Sequence, residues 1–532
     1  MTPRLVPMAV ATALRVAGSH RFWQAAVVFA CVYLSCVLFW LLPGTPVLML
    51  DTAAYLSLDA RISLGYPAFV HGVEAVTGSL RWVPAVQLIV FIGAVLYLHE
   101  AAARLFRRPA IAGLLALSLL AYGPVTGVLV WLLPEPLFIA LILVAIGAVF
   151  HALGRPGANL PLYVLAASAA IIIFVRPAGY FVPGAVLFLA LAWRGQFRRL
   201  AIRALVPMLV LVMLAMGGGY MIRGIFTQAI DGSALFPHVA NLFEAGFVAP
   251  GDRDMAVAIE TVTQAYARRL AARPDWRARY RVAVDEFNPL LDAIRDKIRE
   301  KWVDAGVLPS SRREQVERFN EELRDLSVTT ILHRPLGYLE VLLLNVAGAW
   351  DMCIMAPYPP VPTLLLGNFR LTEPTARLVI ERTGANLAPY DIDAWIEQYP
   401  VLKRQSLPFV DTTSNLLNGE RPLIWGIGVV SLLAVPVTLF LRRASPSWVA
   451  FAFVGAMLHG SVFLTAAATV FIQRYALPVD AIVIIALLLA CDIGLAGLER
   501  LGTAQLARIR QMPVQPFSNR SLKNVSETEM RW

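Results

Sequence analysis

PEPLFIALILVAIGAVFHAL, residues 134–153, is the stretch of sequence that decides the fold. After Glu135 it contains no acidic residue, no lysine and no arginine. Its length matches the roughly 20 residues with which an α-helix crosses the hydrocarbon core of a bilayer. The run therefore predicts a transmembrane helix that carries one acidic residue at its first turn, where the helix meets a membrane surface.

Similar apolar runs lie on both sides of this one and bring the number of predicted spans to ten. They occupy residues 24–43, 82–102, 109–127, 134–153, 160–176, 178–194, 203–222, 423–441, 446–469 and 475–497. Charged residues make up 15% of the chain, against about 25% in a soluble domain. The composition excludes a soluble enzyme and a disordered chain. It predicts an all-α polytopic membrane protein, a bundle of about ten transmembrane helices with a mainly helical extracytoplasmic domain.

Positive charge follows alternate spans, which predicts an orientation. The arginines concerned are Arg104, Arg107, Arg108, Arg155, Arg194, Arg198, Arg199, Arg203, Arg442 and Arg443. The intervening short connection at 128–133 carries no charge. Because cytoplasmic loops are enriched in lysine and arginine, both termini are expected in the cytoplasm. The long segment 223–421 then lies on the outer side of the membrane.

The charge balance divides the chain in the same way. Residues 223–421 hold 23 Lys and Arg against 26 Asp and Glu, and the remainder holds 23 against 10. The net charge of +10 thus belongs to the membrane part as an orientation signal, so no nucleic-acid partner is expected. We predict an N-terminal membrane domain, an extracytoplasmic domain, C-terminal membrane helices and a cytoplasmic tail. Their limits are 1–222 (about seven spans, with a first outer loop at 44–81), 223–421, 422–498 (about three spans) and 499–532.

One apolar stretch is not counted among the spans. ILHRPLGYLEVLLLNVAGAW, residues 331–350, is interrupted by Arg334, Pro335 and Glu340. We interpret it as an amphipathic helix lying on the membrane surface. A span at this position would also invert the orientation of every helix after it.

Five acidic residues of the membrane part fall at its outer side: Asp51, Asp59, Glu74, Glu135 and Asp480. Acids at membrane depth are costly, and they usually face a cavity or a charged partner. Asp51 follows the first span directly, and Asp51, Tyr55 and Asp59 are spaced i, i+4, i+8, which places them on one face of a helix. Asp51 is therefore a candidate functional residue. The alternative is that it only caps this helix.

Two further acids, Glu135 and Asp480, also require an interpretation. Glu135 lies between prolines at the start of a span, where it either favours the helix N-terminus or points into the same outer cavity as Asp51. Asp480 is six residues after Arg474, and we favour an ion pair between the two.

The cations at this depth are Arg176, in FVRPAGY, and Arg474, in IQRYALP. Arginine suits bidentate contacts with phosphate, so a phosphate-bearing ligand at the membrane surface is one explanation for both. Interfacial snorkelling is the other.

Four strings together resemble the GT-C glycosyltransferases, in particular the bacterial branch related to the protein O-mannosyltransferases and to the lipid A aminoarabinose transferase. They are LDTAAYLSLDARISLGYPAFV (50–70), LPEPLFIALIL (133–143), FVRPAGYFVPG (174–184) and IQRYALPVDA (472–481). The resemblance covers about residues 24–222 and 423–495.

The resemblance implies an inverting glycosyltransferase at the outer face of the membrane, with a polyprenyl-phosphate sugar as donor. Asp51 would be the base. Tyr55, Asp59 and Glu135 would bind the acceptor or the donor sugar, and Arg176 and Arg474 would bind the donor phosphate. The acceptor is a lipid, a glycan or a protein. Some members of the family bind a divalent cation, and the sequence leaves open whether one is needed here.

General chemistry supports the same roles for carboxylates and arginines, independently of the resemblance. A carboxylate can take the proton of an acceptor hydroxyl, and cations stabilise the charge that develops on a departing phosphate. Other classes stay open: a transporter or lipid flippase, an O-antigen ligase-like enzyme that transfers a whole glycan, or an assembly factor whose outer domain binds a partner.

Overall fold

The computed structural model is mainly helical in the residues that it describes, and it contains no strand among them. These residues are 19–41, 52–56, 63–155, 157–192, 202–203, 205–214, 217, 232–248, 253–309, 312–356, 421–441, 444–471 and 473–511. The predicted all-α, polytopic fold class is confirmed.

Ten α-helices lie in the described residues of the N-terminal part. They are α1 (His20–Leu41), α2 (Thr52–Leu56), α3 (Gly65–Thr77), α4 (Val83–Leu105), α5 (Pro109–Ala121), α6 (Gly123–Gly127), α7 (Glu135–Gly154), α8 (Leu160–Val175), α9 (Phe181–Ala192) and α10 (Leu205–Leu214). The helix predicted from residues 134–153 is α7. It packs against α4, α8 and two C-terminal helices, and almost all of its residues are buried.

Six helices follow before a second membrane part. They are α11 (Gly232–Val239), α12 (Arg253–Ala271), α13 (Trp276–Asp285), α14 (Phe287–Asp304), α15 (Arg312–His333) and α16 (Pro335–Gly348). A π-helical turn, Ala349–Cys353, continues α16. We call residues 232–348 the central region.

The C-terminal part contains α17 (Arg421–Phe440), α18 (Pro446–Ala468) and α19 (Gln473–Gln511). The helix α19 continues past residue 498, the position proposed for a domain boundary.

Seven helices in the described residues are long and apolar enough to cross a membrane, which supports a multi-pass membrane protein. They are His20–Leu38, Leu80–Leu105, Glu135–Gly154, Pro335–Cys353, Arg421–Phe440, Pro446–Ala468 and Tyr475–Thr503. Six of them match predicted spans. The predicted span at 109–127 is a pair of helices bent by 51°, and those at 160–176, 178–194 and 203–222 are shorter apolar helices. The additional helix, Pro335–Cys353, covers most of the stretch that we interpret as interfacial.

The central region has a hydrophobic core of its own. Its centre is formed by Phe236, Ile259, Ile294 and Leu323, and it is separate from the large core of the membrane helices. Tyr280 of α13 belongs instead to the membrane-helix core. Its ring packs on Gly348, where a Cβ atom would lie only 2.3 Å from the ring carbons. A glycine is therefore required for α13 to approach the end of α16 this closely.

Candidate functional site

The candidate site is organised around an ion pair at the N-terminus of α7. Arg176 donates a hydrogen bond from Nη1 to Oε1 of Glu135 over 3.0 Å. The Glu135 side chain is 1% exposed and the Arg176 side chain 15%. A buried carboxylate is costly unless it is paired and hydrogen-bonded. Both residues were predicted site residues, but the sequence did not predict that they pair.

Arg176 owes its position to the proline that follows it. The α region is unfavourable for a residue that precedes proline, so α8 ends at Val175 and Arg176 adopts an extended backbone, with φ −156° and ψ 130°. Its amide still caps the helix by donating to the Ile172 carbonyl over 2.9 Å. The Arg-Pro sequence thus places a cation at the end of α8, beside the start of α7.

Two aromatic rings complete the surroundings of this guanidinium. The Cζ atom of Arg176 lies 4.7 Å from the centre of the Tyr475 ring and 5.9 Å from that of Phe138. Such cation–π contacts hold a guanidinium in place through its flat face and leave N–H groups at its edge available. Tyr475 lies in the first turn of α19 and Phe138 in the first turn of α7, so three helices converge on Arg176.

Arg474, the second predicted phosphate-binding residue, directly precedes Tyr475. Its backbone belongs to α19, but its side chain lies outside the described residues. Because the neighbouring ring contacts Arg176, the backbone of Arg474 lies at the same end of the bundle.

The first outer loop reaches this site through Thr52. The Thr52 hydroxyl donates to the carbonyl of Leu132 over 3.3 Å, and Leu132 lies three residues before Glu135. Asp51 and Asp59 lie outside the described residues. The residue next to Asp51 is nevertheless fixed beside the turn that leads into α7.

Tyr55, a predicted sugar-binding residue, is buried against Tyr66. The two rings meet edge to face with centres 5.0 Å apart. The Tyr66 hydroxyl donates to Oε1 of Gln87 over 2.9 Å, and Nε2 of Gln87 donates to the carbonyls of Leu129 and Trp131. This network ties α3 to α4 and to the chain that precedes α7.

Tyr66 stays protonated across the physiological pH range. Burial raises the pKa of its hydroxyl well above the ordinary value, and the nearby Tyr55 and Glu135 raise it further. The Tyr66 hydroxyl is therefore a fixed hydrogen-bond donor. Its electrostatic interaction with Glu135 also indicates that the Tyr55–Tyr66 pair lies close to the ion pair.

A close backbone contact presses α3 onto the end of α8. A Cβ atom at Gly65 would lie 2.6 Å and 2.7 Å from the backbone C and O atoms of Phe174. Phe174 lies two residues before Arg176. A glycine at position 65 is therefore required to hold the first outer loop against the part of α8 that presents the arginine.

Asp480 lies in α19 about one and a half turns after Tyr475, in a separate buried position. Its carboxylate accepts from the Tyr122 hydroxyl over 3.3 Å and from the Met355 amide over 2.8 Å. Met355 has a positive φ of 45°, which is uncommon for a residue other than glycine. The favoured pairing of Asp480 with Arg474 stays a prediction, because it depends on a side chain outside the described residues.

The described residues do not bring metal-ligating side chains together. Among them, no group of three or more His, Cys, Asp or Glu residues is placed to hold a metal ion. Asp51 and Asp59 fall outside that part of the chain. The structure therefore supplies no donor set for a divalent cation within its described residues, and no chemical step is assigned to one below.

Sequence reasoning missed three contributors to the site: Tyr475, Phe138 and the Tyr66–Gln87 hydrogen bond. The sequence contained an indication of the first two. Tyr475 follows Arg474 in the quoted string IQRYALP, and Phe138 lies three residues after Glu135, on the same side of a helix. For Gln87, a single polar residue within an apolar run was the only signal.

Comparisons with known proteins return a match among solved structures. No family model matches the chain. No curated protein matches it either. Among solved structures, the chain is similar to ArnT from Cupriavidus metallidurans, which was crystallised with bound undecaprenyl phosphate. The identity is 15%, the TM-score is 0.33, and the match covers 84% of this chain and 77% of ArnT.

ArnT is a GT-C glycosyltransferase, the class that the sequence motifs resemble. At this TM-score the two molecules do not superpose closely as wholes, and no residue-by-residue correspondence follows from the match. The function proposed below is therefore supported by the residues of this chain.

Proposed function

We propose that this protein is a GT-C-type membrane glycosyltransferase. It transfers a sugar from a polyprenyl-phosphate donor to an acceptor at the outer face of the bacterial cytoplasmic membrane, with inversion and with Asp51 as the base. The proposal includes the predicted orientation, with both termini in the cytoplasm. It also includes the predicted division of the chain into four parts, with boundaries at residues 222, 421 and 498.

The observation that carries the proposal is the fixed position of Arg176. Its guanidinium is held at one edge by Glu135 and on its face by Tyr475, at the point where α7, α8 and α19 meet. A guanidinium has five N–H donors, and Glu135 accepts from Nη1. The remaining donors suit a phosphate, which arginine binds with two parallel hydrogen bonds.

The depth of this arginine also fits a lipid-linked donor. All three helices that surround it are apolar, and two of them begin at the site. A prenyl chain can lie in the bilayer beside such helices while its phosphate reaches their ends. The acceptor, which is a lipid, a glycan or a protein, approaches from the aqueous side.

In the proposed reaction, Asp51 takes the proton from the acceptor hydroxyl as its oxygen bonds to C1 of the sugar. The bond between C1 and the phosphate oxygen breaks, and its electron pair leaves with the polyprenyl phosphate. Arg176 and Arg474 stabilise the charge on this leaving group. Attack opposite to the leaving phosphate inverts the configuration at C1.

Glu135 acts as a positioning residue for Arg176 in this scheme, because its carboxylate is buried against the guanidinium. Tyr55 and Asp59 remain the candidates for contacts with sugar hydroxyls.

The test is a transfer assay with the purified full-length protein in nanodiscs. A radiolabelled polyprenyl-phosphate monosaccharide is the donor, and an extract of envelope glycolipids and glycans supplies the acceptor. We expect the label to appear in an acceptor. The product should have the opposite anomeric configuration to the donor, β from α or the reverse. Mass spectrometry of a deletion strain should show the loss of one sugar unit from its envelope.

Turnover of a diphosphate-linked glycan but not of the monosaccharide donor would instead support the O-antigen ligase-like alternative. Movement of the lipid donor across the bilayer without sugar transfer would support a flippase. Asp51→Asn is the inactive variant, and Glu74→Gln is its matched control, because it removes a carboxylate from the same outer loop.

A further inference from the structure

A cavity of about 500 Å³ lies in the central region at the N-terminus of α13. Its charged and aromatic lining residues are Arg273, Asp275, Trp276, Arg277, Arg281 and Asp285. None of them belongs to the site described above, which lies among the membrane helices. Three arginines around a tryptophan suit an anionic ligand that also has a flat, weakly polar face.

Two of the charged groups already have partners. The Asp275 carboxylate caps α13 by accepting from the Ala278 amide over 2.8 Å. Arg277 donates two hydrogen bonds to Asp351, over 2.7 Å and 3.0 Å. These contacts fix the geometry of the cavity rather than supply charge for a ligand.

The guanidinium groups of the other two arginines are available to bind a ligand. Arg273 and Arg281 are exposed, and neither guanidinium has a carboxylate partner among the residues that the structure describes. The hydrogen bonds of Arg273 involve its backbone: its carbonyl accepts from Arg279, and its amide donates to the Leu270 carbonyl. Two cations on one wall therefore favour an anion.

Trp276 and Asp285 add selectivity for a sugar. The indole of Trp276 is 38% exposed, and the guanidinium of Arg277 packs over it at 5.2 Å. An exposed aromatic face offers a packing surface for the C–H groups of a sugar ring. The carboxylate of Asp285 accepts hydrogen bonds from hydroxyl groups and would repel a second anion. We infer that this cavity binds an anionic saccharide, a sugar that carries one carboxylate or phosphate group.

The cavity is connected to the candidate site by direct contacts. Tyr280, on the same helix, donates its hydroxyl to the Phe471 carbonyl. The ring of Phe471 packs edge to face on Tyr475 with centres 6.4 Å apart, and Tyr475 covers Arg176. The role of this saccharide as the acceptor, or as a part of it, rests on the proposed function, whereas its binding does not.

Binding is tested with the full-length protein in neutral phosphatidylcholine nanodiscs, by saturation-transfer NMR and calorimetry. The probes are glucuronate, glucose 6-phosphate, glucose and inorganic phosphate. We expect both anionic sugars to bind more tightly than glucose or phosphate alone. The double variant Arg273→Gln/Arg281→Gln should weaken their binding by about tenfold or more, since a hydrogen bond to a charged group contributes that much.

The matched control is Arg299→Gln, which removes an exposed arginine from α14, outside the cavity lining. Its binding should equal that of the unaltered protein. Equal binding of glucose and glucuronate, or full binding by the double variant, would overturn the inference. So would displacement of the sugars in nanodiscs that contain phosphatidylglycerol, because the cavity would then bind lipid headgroups. Sugar binding without any transferase activity would refute the proposed function and leave this inference intact.

Discussion

Arg176 and Glu135 form a buried ion pair, with 3.0 Å between Nη1 and Oε1, that joins the end of α8 to the start of α7. Breaking a buried pair by removing one partner is costly, because the other charge remains without compensation. The pair therefore fixes the direction of the arginine as well as its position.

Glu135→Gln should change donor use as well as stability. The amide oxygen can still accept a hydrogen bond, but the charge that restrains Arg176 is lost. We expect the apparent KM for the polyprenyl-phosphate donor to rise about tenfold, equivalent to about 1.4 kcal/mol, with a smaller change in kcat. Donor-titration assays measure both values. An unchanged donor KM in a normally folded variant would show that Glu135 does not position the arginine.

Tyr475 should affect donor binding through its aromatic ring rather than through its hydroxyl. Tyr475→Phe keeps the aromatic face beneath Arg176, whereas Tyr475→Leu removes a cation–π contact that contributes about 0.5–2 kcal/mol. The leucine variant should therefore lose more donor affinity than the phenylalanine variant. Equilibrium binding of polyprenyl phosphate to the two purified variants tests this order. The reverse order would assign the role to the hydroxyl.

Arg474→Ala should raise the donor requirement while the protein still inserts and purifies normally. The residue lies at the same end of the bundle as Arg176, at the depth expected for a prenyl phosphate. Donor titration and size-exclusion chromatography of the same preparation give the two readouts. A degraded or aggregated variant would indicate a structural ion pair instead, most simply with Asp480.

Asp51→Asn separates catalysis from helix capping. Asparagine caps a helix about as well as aspartate, but it has no carboxylate to accept a proton. A general base contributes roughly 10²–10⁴-fold to a rate, so transfer should fall by at least the lower of these factors with normal expression. Substantial transfer by the asparagine variant, measured in cells and in nanodiscs, would leave Asp51 only its capping role.

Gly65→Ala should destabilise the protein, because the added methyl group would lie within 3 Å of the Phe174 backbone. Overpacking of this kind costs typically about 1–3 kcal/mol. Gly72→Ala is a control in the same helix, where a Cβ atom meets no other atom within 4 Å. Thermal unfolding in detergent should show a lower Tm for the first variant alone. Equal Tm values would mean that α3 can shift away from α8 without cost.

His238 should make the central region sensitive to acid. Burial lowers the pKa of His238 from 6.5 to about 4, and its ring nitrogen Nδ1 lies 2.7 Å from Nδ2 of Asn345. Between these two pH values the unfolded chain binds a proton that the folded chain does not. The free energy of unfolding therefore falls as the pH falls through this interval, by about 3 kcal/mol in total.

The measurement is the thermal midpoint of the full chain between pH 7 and pH 4. His238→Gln should flatten the pH dependence, while His333→Gln, at an exposed histidine, should not. An identical slope in all three proteins would exclude His238 as the cause.

The sequence predicted the helical fold because apolar run length is a local property, as residues 134–153 illustrate. It placed Glu135 and Arg176 at one depth for the same reason. Their pairing could not be predicted, because it depends on the packing of α7 against α8, which are separated by a loop. The bend near residue 122 was missed because a run of apolar residues does not encode where a helix is broken.

Arg421 has a consequence for the architecture as a whole. Its guanidinium donates to the carbonyls of Trp350 and Ile354, so the start of α17 lies within the reach of one side chain from the end of the π-helical turn. Two points far apart in the sequence are thus neighbours in space. Because closing a short loop between such neighbours costs little entropy, a brief glycine-serine linker could join Ala356 to Arg421, and the membrane helices could be studied in that shortened chain.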